Sequence, residues 1–383
     1  MKHIHVCLIS EQTIPNILGI FYFKPEEVLF ITTEQMLKRE KTEAIVNTLK
    51  RLGLNIPFFE IVVREDSIYD CHRKIAQWME KHEEDNFTVN LTCGTKIMSI
   101  ATYEIFKDYG SKMIYIPIPK NEFFEVYPLK KLSEPQPLPL RLGVIEYLTA
   151  YSLRVINEAK LNRYKEESEK RKALTNWIVT NYNSIEGLLS EFYKVLQKSR
   201  NVSSFDLTIE FPISNELQRD FLKAVGFNIS GRTISKRLSR SEIRYLTGGW
   251  LEEYVFNSLN SIKGRGIDDV VMNVEIENIQ GNKNEFDVMF TKDNALYFVE
   301  CKSLSPEDEI TKSSLYKIGA LQKEFGLRVQ SFFVTTSPHI IKDGQIRQSV
   351  RARAEQFKTE IIKPDEIVNF ETIIRKKLKI MEE

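Results

Sequence analysis

The chain has 383 residues, 42% hydrophobic and 28% charged, with a formal net charge of +1. That length suggests two or three domains of an ordinary globular protein. The near-neutral balance excludes a global field that would draw it to nucleic acid, so any basic surface must be local. Four scattered cysteines (Cys7, Cys71, Cys93, Cys301) form no C-x-x-C pair, which argues against a zinc or disulfide framework and for a reducing compartment. No apolar run reaches membrane-spanning length, and the N-terminus lacks the pattern of a signal peptide. The expectation is a cytoplasmic protein with no membrane partner.

The first part of the chain alternates strands and helices. Short apolar runs at 3–10, 28–32, 58–62, 87–91 and 112–117 read as buried parallel strands, with 123–127 beside the last. Helical patterns fall between them at 34–52, 68–81 and 97–109. This order predicts an α/β sheet of Rossmann-like topology, whose ligands bind beyond the carboxyl ends of the strands. Two polar loops occupy such ends, 10–16 and 90–96. In the second, Gly94 permits close backbone approach, Thr92 and Thr95 offer hydroxyls, and Lys96 stands at a helix start, where free N–H groups favour an anion. Phosphate is the natural candidate, an ordinary capped turn the alternative, since neither G-x-G-x-x-G nor Walker A is present.

Residues 132–140, with three prolines in nine positions, read as a linker. Helical patterns follow at 141–158 and 170–196, joined by a densely charged stretch, 160–172, expected to be solvated. A strand at 205–213, a helix at 215–225 and a strand at 232–238 complete a middle region without recognisable chemistry. Its cations Arg232, Lys236, Arg237 and Arg240 could meet a phosphate backbone or simply face water.

From residue 241 the chemistry becomes specific. Thr247-Gly248-Gly249 precedes a helix at 250–262, where Leu251, Val255, Leu259 and Ile262 form the buried stripe. Glu252 lies about 100° from Leu251, inside the wider apolar arc, and needs a partner there. Glu253 falls on the polar side with Asn257 and Asn260 and is the fallback. A strand at 270–276 comes next, then the stretch NEFDVMFTKDNALYFVECKS at 284–303, a β-hairpin turning at Asp293-Asn294, both tolerant of positive φ. That turn sets Asp287 opposite Glu300, with Lys302 on the same face, while Phe286, Val288, Val299 and Cys301 anchor the other.

Facing carboxylates repel, and a hard divalent cation, Mn²⁺ or Mg²⁺, would resolve the conflict using carboxylate oxygens. Lys302 could then orient a bound water or stabilise a charged transition state, the logic of metal-assisted phosphodiester hydrolysis. The bland reading is a solvent-facing strand with self-neutralising charges. A helix at 313–325, whose Tyr316 and Lys317 turn toward the site, a strand at 328–335 and a helix at 345–357, carrying Arg347, Arg351 and Arg353 as a candidate nucleic-acid groove, close the chain.

The order helix Glu252, then Asp287, then Glu300-x-Lys302 resembles the PD-(D/E)XK nuclease superfamily, although no proline precedes Asp287. Ser10-Glu11-Gln12-Thr13 and Asn90-Leu91-Thr92-Cys93-Gly94-Thr95-Lys96 resemble the loops of CRISPR-associated Rossmann-fold (CARF) sensors, with Cys93 where that family has a glycine. Together they resemble the CARF–nuclease effectors of type III CRISPR systems. The resemblance implies three parts: a CARF sensor at 1–135, a mostly helical connector at 136–240 and a restriction-endonuclease-like α/β nuclease domain at 241–383. It also implies a homodimer that binds a cyclic oligoadenylate, cyclic tetra-adenylate above all, as allosteric activator. Ser10, Gln12, Thr13, Thr92, Gly94, Thr95 and Lys96 would hold that ligand. Asp287, Glu300 and Glu252 would hold Mn²⁺ or Mg²⁺ directly or through water, Lys302 would align the attacking water, and the substrate would be single-stranded DNA or RNA, or duplex DNA for nicking. The rival is a nucleotide-responsive regulator that binds nucleic acid without cutting. A dinucleotide-dependent oxidoreductase is disfavoured by the missing glycine fingerprint after the first strand.

Overall fold

The computed structural model describes residues 1–129, 134–303, 325–326 and 329–380. The expected helix at 313–325, with Tyr316 and Lys317, lies outside the described residues except for Phe325.

The N-terminal sheet is built from β1 (His3–Leu8), β2 (Glu27–Thr32), β3 (Phe58–Val62), β4 (Asn86–Asn90), β5 (Lys112–Tyr115), β6 (Glu122–Tyr127) and β7 (Gln136–Pro137) in the order β3-β2-β1-β4-β5-β6-β7. The first five strands in that order pair in parallel and β6 returns antiparallel. This is the expected Rossmann-like arrangement: β1 and β4 are neighbours, so the loops that leave their carboxyl ends lie side by side at the point where strand order reverses. Helices α1 (Ile14–Phe23), α2 (Glu34–Lys38), α3 (Lys41–Arg51), α4 (Ile68–Met79) and α5 (Lys96–Asp108) connect the strands. The single helix expected at 34–52 is two, broken at Glu40 with φ +52°.

The proline-rich stretch is less of a linker than its composition suggests. Gln136–Pro137 pairs with β6, the Leu138 amide donates to the Asn121 carbonyl at 2.8 Å, and Leu138 and Leu142 are buried. The helix expected at 141–158 is only α6 (Val144–Ala150). It is followed by β8 (Arg154–Val155), which crosses to join the C-terminal sheet, and by α7 (Glu158–Thr180), which absorbs the charged stretch 160–172.

The middle region, α8 (Tyr182–Leu196), β9 (Ser204–Glu210), α9 (Glu216–Val225), β10 (Asn228–Ser230), β11 (Thr233–Ser239) and α10 (Arg240–Arg244), carries a three-stranded antiparallel sheet. It is not a spacer. Leu188, Phe192, Phe221 and Leu238 share one apolar cluster with Leu251, Val255, Val288 and Val299. After a π-turn at Tyr245–Gly249 comes α11 (Trp250–Ser261). The C-terminal sheet then follows: β12 (Asp269–Glu277), β13 (Lys283–Lys292), β14 (Ala295–Lys302), β15 (Val329–Thr335) and a last strand, Thr359–Ile362, in parallel with β15. The helix expected at 345–357 runs from Gln348 to Gln356. No helix among the described residues is long and apolar enough to cross a membrane.

Sensor and C-terminal sheets are joined by apolar contact. A second cluster runs from Ile14 and Ile17 of α1, through Tyr147, Leu148 and Tyr151 on and beside α6, to Phe286, Met289 and Phe298 of the hairpin.

Candidate functional sites

The hairpin β13–β14 closes through Asp293 and Asn294 at φ +52° and +56°, the paired positive φ that a two-residue turn compatible with strand twist requires. Its ladder runs from Lys292–Ala295 to Val288–Val299, and one further step in that register brings Asp287 opposite Glu300, as the turn predicts. The apolar half differs from expectation. Val288, Phe290, Val299 and Cys301 share one core, whereas Phe286 joins Met289 and Phe298 in the other, so both faces of the hairpin are covered. The change occurs beside Asp287. Opposite it, Asn273 of β12 takes φ +53°, and the ladder skips from Met272–Val288 to Val274–Phe286. Buried Asn157 holds this irregularity, donating to the Asn273 carbonyl at 2.7 Å and accepting the Glu275 amide at 3.0 Å. Replacing Asn157 by alanine leaves both groups unpaired at a buried site, so denaturant titration should show a loss of about 2 kcal/mol, with any cleavage activity falling as Asp287 loses its support.

Asp287 accepts the Cys301 amide at 2.7 Å, and the Lys302 ammonium lies 2.8 Å from Glu300. Burial, then the Glu300 and Glu252 carboxylates, push Asp287 well above the ordinary carboxylate range, against the pull of Lys302. Burial likewise raises Glu252, although Lys302 and Arg244 oppose it. Burial would depress Lys302, but Glu300 and Asp287 prevail and raise it, so its ammonium persists through physiological pH. The three acids and the lysine therefore form one electrostatic unit. Among the described residues no three carboxylate, imidazole or thiol groups already converge at ligand distance. Lys302 stands on Glu300 as the resident cation. The all-oxygen donor set and the mutual repulsion of its carboxylates are what fit a hard divalent cation.

Glu253, the fallback, is committed elsewhere. It is buried, not on a polar face, and Arg171 of α7 grips it, with Nε 3.1 Å from each carboxylate oxygen. Asn257, expected on the same polar face, donates to Ser168 Oγ at 2.9 Å. No sequence pattern near Glu253 reveals a partner 82 residues away.

The acids open onto a cleft of about 600 Å³ that is also lined by the cations Lys160, Arg163, Arg171, Arg200, Arg240 and Arg244, interleaved with Glu167, Glu275 and Glu285. The stretch 160–172, expected to be solvated, thus flanks the site. Of the expected quartet Arg232, Lys236, Arg237 and Arg240, only Arg240 lines the cleft. Lys236 pairs with Glu242, and Arg237 stands exposed beside Asp206. Arg347, Arg351 and Arg353 are not among its lining residues.

At the sensor end, Asn90 stitches the two loops together. From a fully buried position its amide donates to the Pro15 carbonyl at 3.2 Å and to Asn16 Oδ1 at 3.0 Å. Its carbonyl accepts the Thr92 amide at 3.1 Å and the Thr92 hydroxyl at 2.5 Å. Asn90 was visible in the sequence as the polar end of an apolar strand, yet it is absent from the expected ligand set. Thr95 caps α5, its hydroxyl accepting the Met98 amide at 3.2 Å, and Thr95 and Lys96 are exposed. Gly94 has φ +78°, and a Cβ there would stand 2.9 Å from Leu8 Cβ, so glycine is required on both counts. Ser10 and Gln12 are half-buried, with the Gln12 side chain accepting the Tyr151 hydroxyl at 3.0 Å. Two expected ligand residues belong to the frame instead. Thr13 is fully buried with its hydroxyl donated to the Ala150 carbonyl at 2.6 Å, and Thr92 also accepts the Ile116 amide at 2.7 Å. Cys93 donates its thiol to the Gln12 carbonyl at 3.1 Å, a link between the loops that glycine could not make.

A parallel sensor sheet joined to a sheet carrying an acid–lysine cluster defines a CARF domain coupled to an endonuclease domain. The family models agree. Residues 4–147 match the Card1 CARF domain and residues 239–381 match the Card1-like endonuclease domain, so the chain belongs to the Card1-like CARF endonucleases of type III CRISPR systems. Among solved structures, it is similar to protein VC1899 from Vibrio cholerae, at 20% identity over 99% of this chain and 98% of that one, with a TM-score of 0.81. It is also similar to Can2 from Sulfobacillus thermosulfidooxidans, solved in complex with cyclic tetra-adenylate, at 21% identity over 97% and 98% of the two chains and a TM-score of 0.75. A type III CRISPR defence DNA nuclease activated by cyclic oligoadenylate aligns at 16% identity and a TM-score of 0.50, over 87% of this chain and 45% of that one. No curated protein matches the chain.

Proposed function

We propose that this chain is a metal-dependent endonuclease that a cyclic oligoadenylate switches on. Cyclic tetra-adenylate, the ligand in the Can2 complex, is the foremost candidate activator. The substrates are single-stranded DNA and RNA, with nicking of duplex DNA as a further activity. One observation carries the reading: Glu252, Asp287, Glu300 and Lys302 line one cleft together with several arginines, in a chain that also holds a CARF domain.

In this reading Asp287, Glu300 and Glu252 hold Mn²⁺ or Mg²⁺, directly or through water, and the ion supplies Lewis-acid activation of the scissile phosphate and its water. Lys302 leaves Glu300 to align that water by hydrogen bonding, and its ammonium faces the charge that develops on the phosphoryl oxygens. Cations of the cleft lining hold the flanking phosphates. At the sensor, exposed Thr95 and Lys96, with Gly94, Ser10 and Gln12, meet the ligand, and Asn90, Thr13 and Thr92 keep those loops in place. Two sensors paired about a two-fold axis would present equivalent loops to a cyclic ligand. Activation then requires the ligand to bind the cutting arrangement more tightly than the idle one.

Incubation with labelled single-stranded DNA, RNA and nicking substrates, with Mn²⁺ or Mg²⁺ and a panel of cyclic oligoadenylates, tests this. Fragments should require both ligand and metal and should vanish with chelator. Retarded but intact substrate in every condition would establish the non-cleaving regulator instead.

A further inference from the structure

The cations of the cleft wall are not equivalent. Arg163 pairs with Glu167, Arg171 with Glu253, and Arg244 with Glu285. Lys160, Arg200 and Arg240 are in no ion pair among the described residues, and of these three Arg200 is the one fixed on the turn that starts α11. It follows the short turn Gln197–Ser199 that ends α8, in the segment 148–238 that neither family model covers. Its guanidinium is nevertheless fixed. Nε donates to Thr247 Oγ1 at 2.8 Å, and a terminal nitrogen donates to the Thr247 carbonyl. Thr247 is itself fully buried, with its hydroxyl 2.8 Å from the Ile243 carbonyl. The next residue, Gly248, has φ +132°. A Cβ there would lie 3.5 Å from the guanidinium and 2.6 Å from Ser303 Oγ, so Arg200 sits close to the strand end that bears Lys302. The residue stays exposed and lines the cleft with Glu252, Asp287 and Glu300. A guanidinium has five N–H donors, and Thr247 uses two of them. An anchored fork beside the acids, near Glu252 but in no ion pair with it, is the arrangement that reads a phosphate bidentately.

We propose that Arg200 is a phosphate-positioning residue: docked on the turn that starts the Glu252 helix, it holds non-bridging oxygens of the substrate strand next to the acids. This assignment rests on the nuclease reading above. A lysine could supply the charge there but not the simultaneous grip on Thr247, and a glutamine could keep a bond to Thr247 but not the charge.

The test compares Arg200→Gln and Arg200→Lys with the wild-type chain. Four quantities are read: the melting temperature, KM and kcat for single-stranded DNA cleavage, and the salt dependence of DNA binding in EDTA with cyclic tetra-adenylate present. For Arg200→Gln we expect wild-type melting, a KM raised about tenfold with kcat changed much less, and a binding slope shallower by about 0.7, the value of one phosphate contact on a single strand. Arg200→Lys should restore the slope and recover only part of the KM. If the wild type cuts and Arg200→Gln keeps its KM and slope, the inference falls alone and Arg200 only braces the turn. Early melting of Arg200→Gln with an unchanged slope overturns it in the same way. A wild-type chain that cuts nothing with any metal and ligand overturns the nuclease reading and this assignment together.

Discussion

Asp287→Asn should lower cleavage at least about a thousandfold, the scale of losing an oxygen ligand to a catalytic cation, and should stabilise the metal-free protein. The two effects have one cause. Asp287 is half-buried, and desolvation together with the crowding charges of Glu300 and Glu252 holds its pKa well above the ordinary range. An amide keeps an acceptor for the Cys301 amide and removes the repulsion. The pH dependence follows in sign. A carboxyl whose pKa rises on folding binds its proton more tightly in the folded than in the unfolded chain. Its contribution to metal-free stability therefore declines as pH rises above about 3.9, the unfolded value, and the decline ends once pH passes the folded value. Thermal melts across pH should show that decline in the wild type and a flatter profile in Asp287→Asn. Added Mn²⁺ should raise the melting temperature of the wild type more than that of the variant, because only the wild type presents the full set of acids. An Asp287→Asn protein that cuts normally, or that melts earlier than the wild type in EDTA, would break the link between charge crowding and catalysis.

Asn90→Ala should give the largest stability loss in the sensor. Its side chain is fully buried and makes four hydrogen bonds, two across to Pro15 and Asn16 after β1 and two to Thr92 within its own loop. Removing it strands buried donors and acceptors on both loops, a loss of about 3 kcal/mol. Gln12, Gly94 and Lys96 then lose their fixed spacing, and the dissociation constant for cyclic tetra-adenylate should rise by at least about tenfold, the equivalent of 1.4 kcal/mol. Denaturant titration and calorimetric binding measure both. Wild-type stability with wild-type affinity would show that the loops are spaced by something else.

Much of this molecule could be read locally. The Asp293-Asn294 turn fixes the hairpin register, and with it the meeting of Asp287 and Glu300, because a two-residue turn dictates pairing. The parallel sensor strands were legible as short apolar runs between helical patterns, and the loop 90–96 stood out by its glycine and hydroxyls. What escaped depends on residues far apart in sequence. The partner of buried Glu253 comes from α7. The charged run 160–172 is a largely solvated helix, as it reads, and what the sequence does not announce is that the fold also lays it along the cleft. Thr13 reads as a loop hydroxyl free for ligand until Ala150 closes over it. The expected helix at 141–158 was cut short because Arg154–Val155 finds a strand edge on β12, a tertiary partner that no helical periodicity announces.

The apolar cluster that passes from α1 through α6 into the hairpin has a thermodynamic meaning. Its members come from both ends of the chain, so neither half can expose its share to water without losing part of its own interior. The two sheets therefore share part of one core, and thermal unfolding followed at both should show coincident transitions. A sensor taken from a relative would have to match this seam residue by residue, and exchanging sensors between such enzymes is a problem of repacking a core.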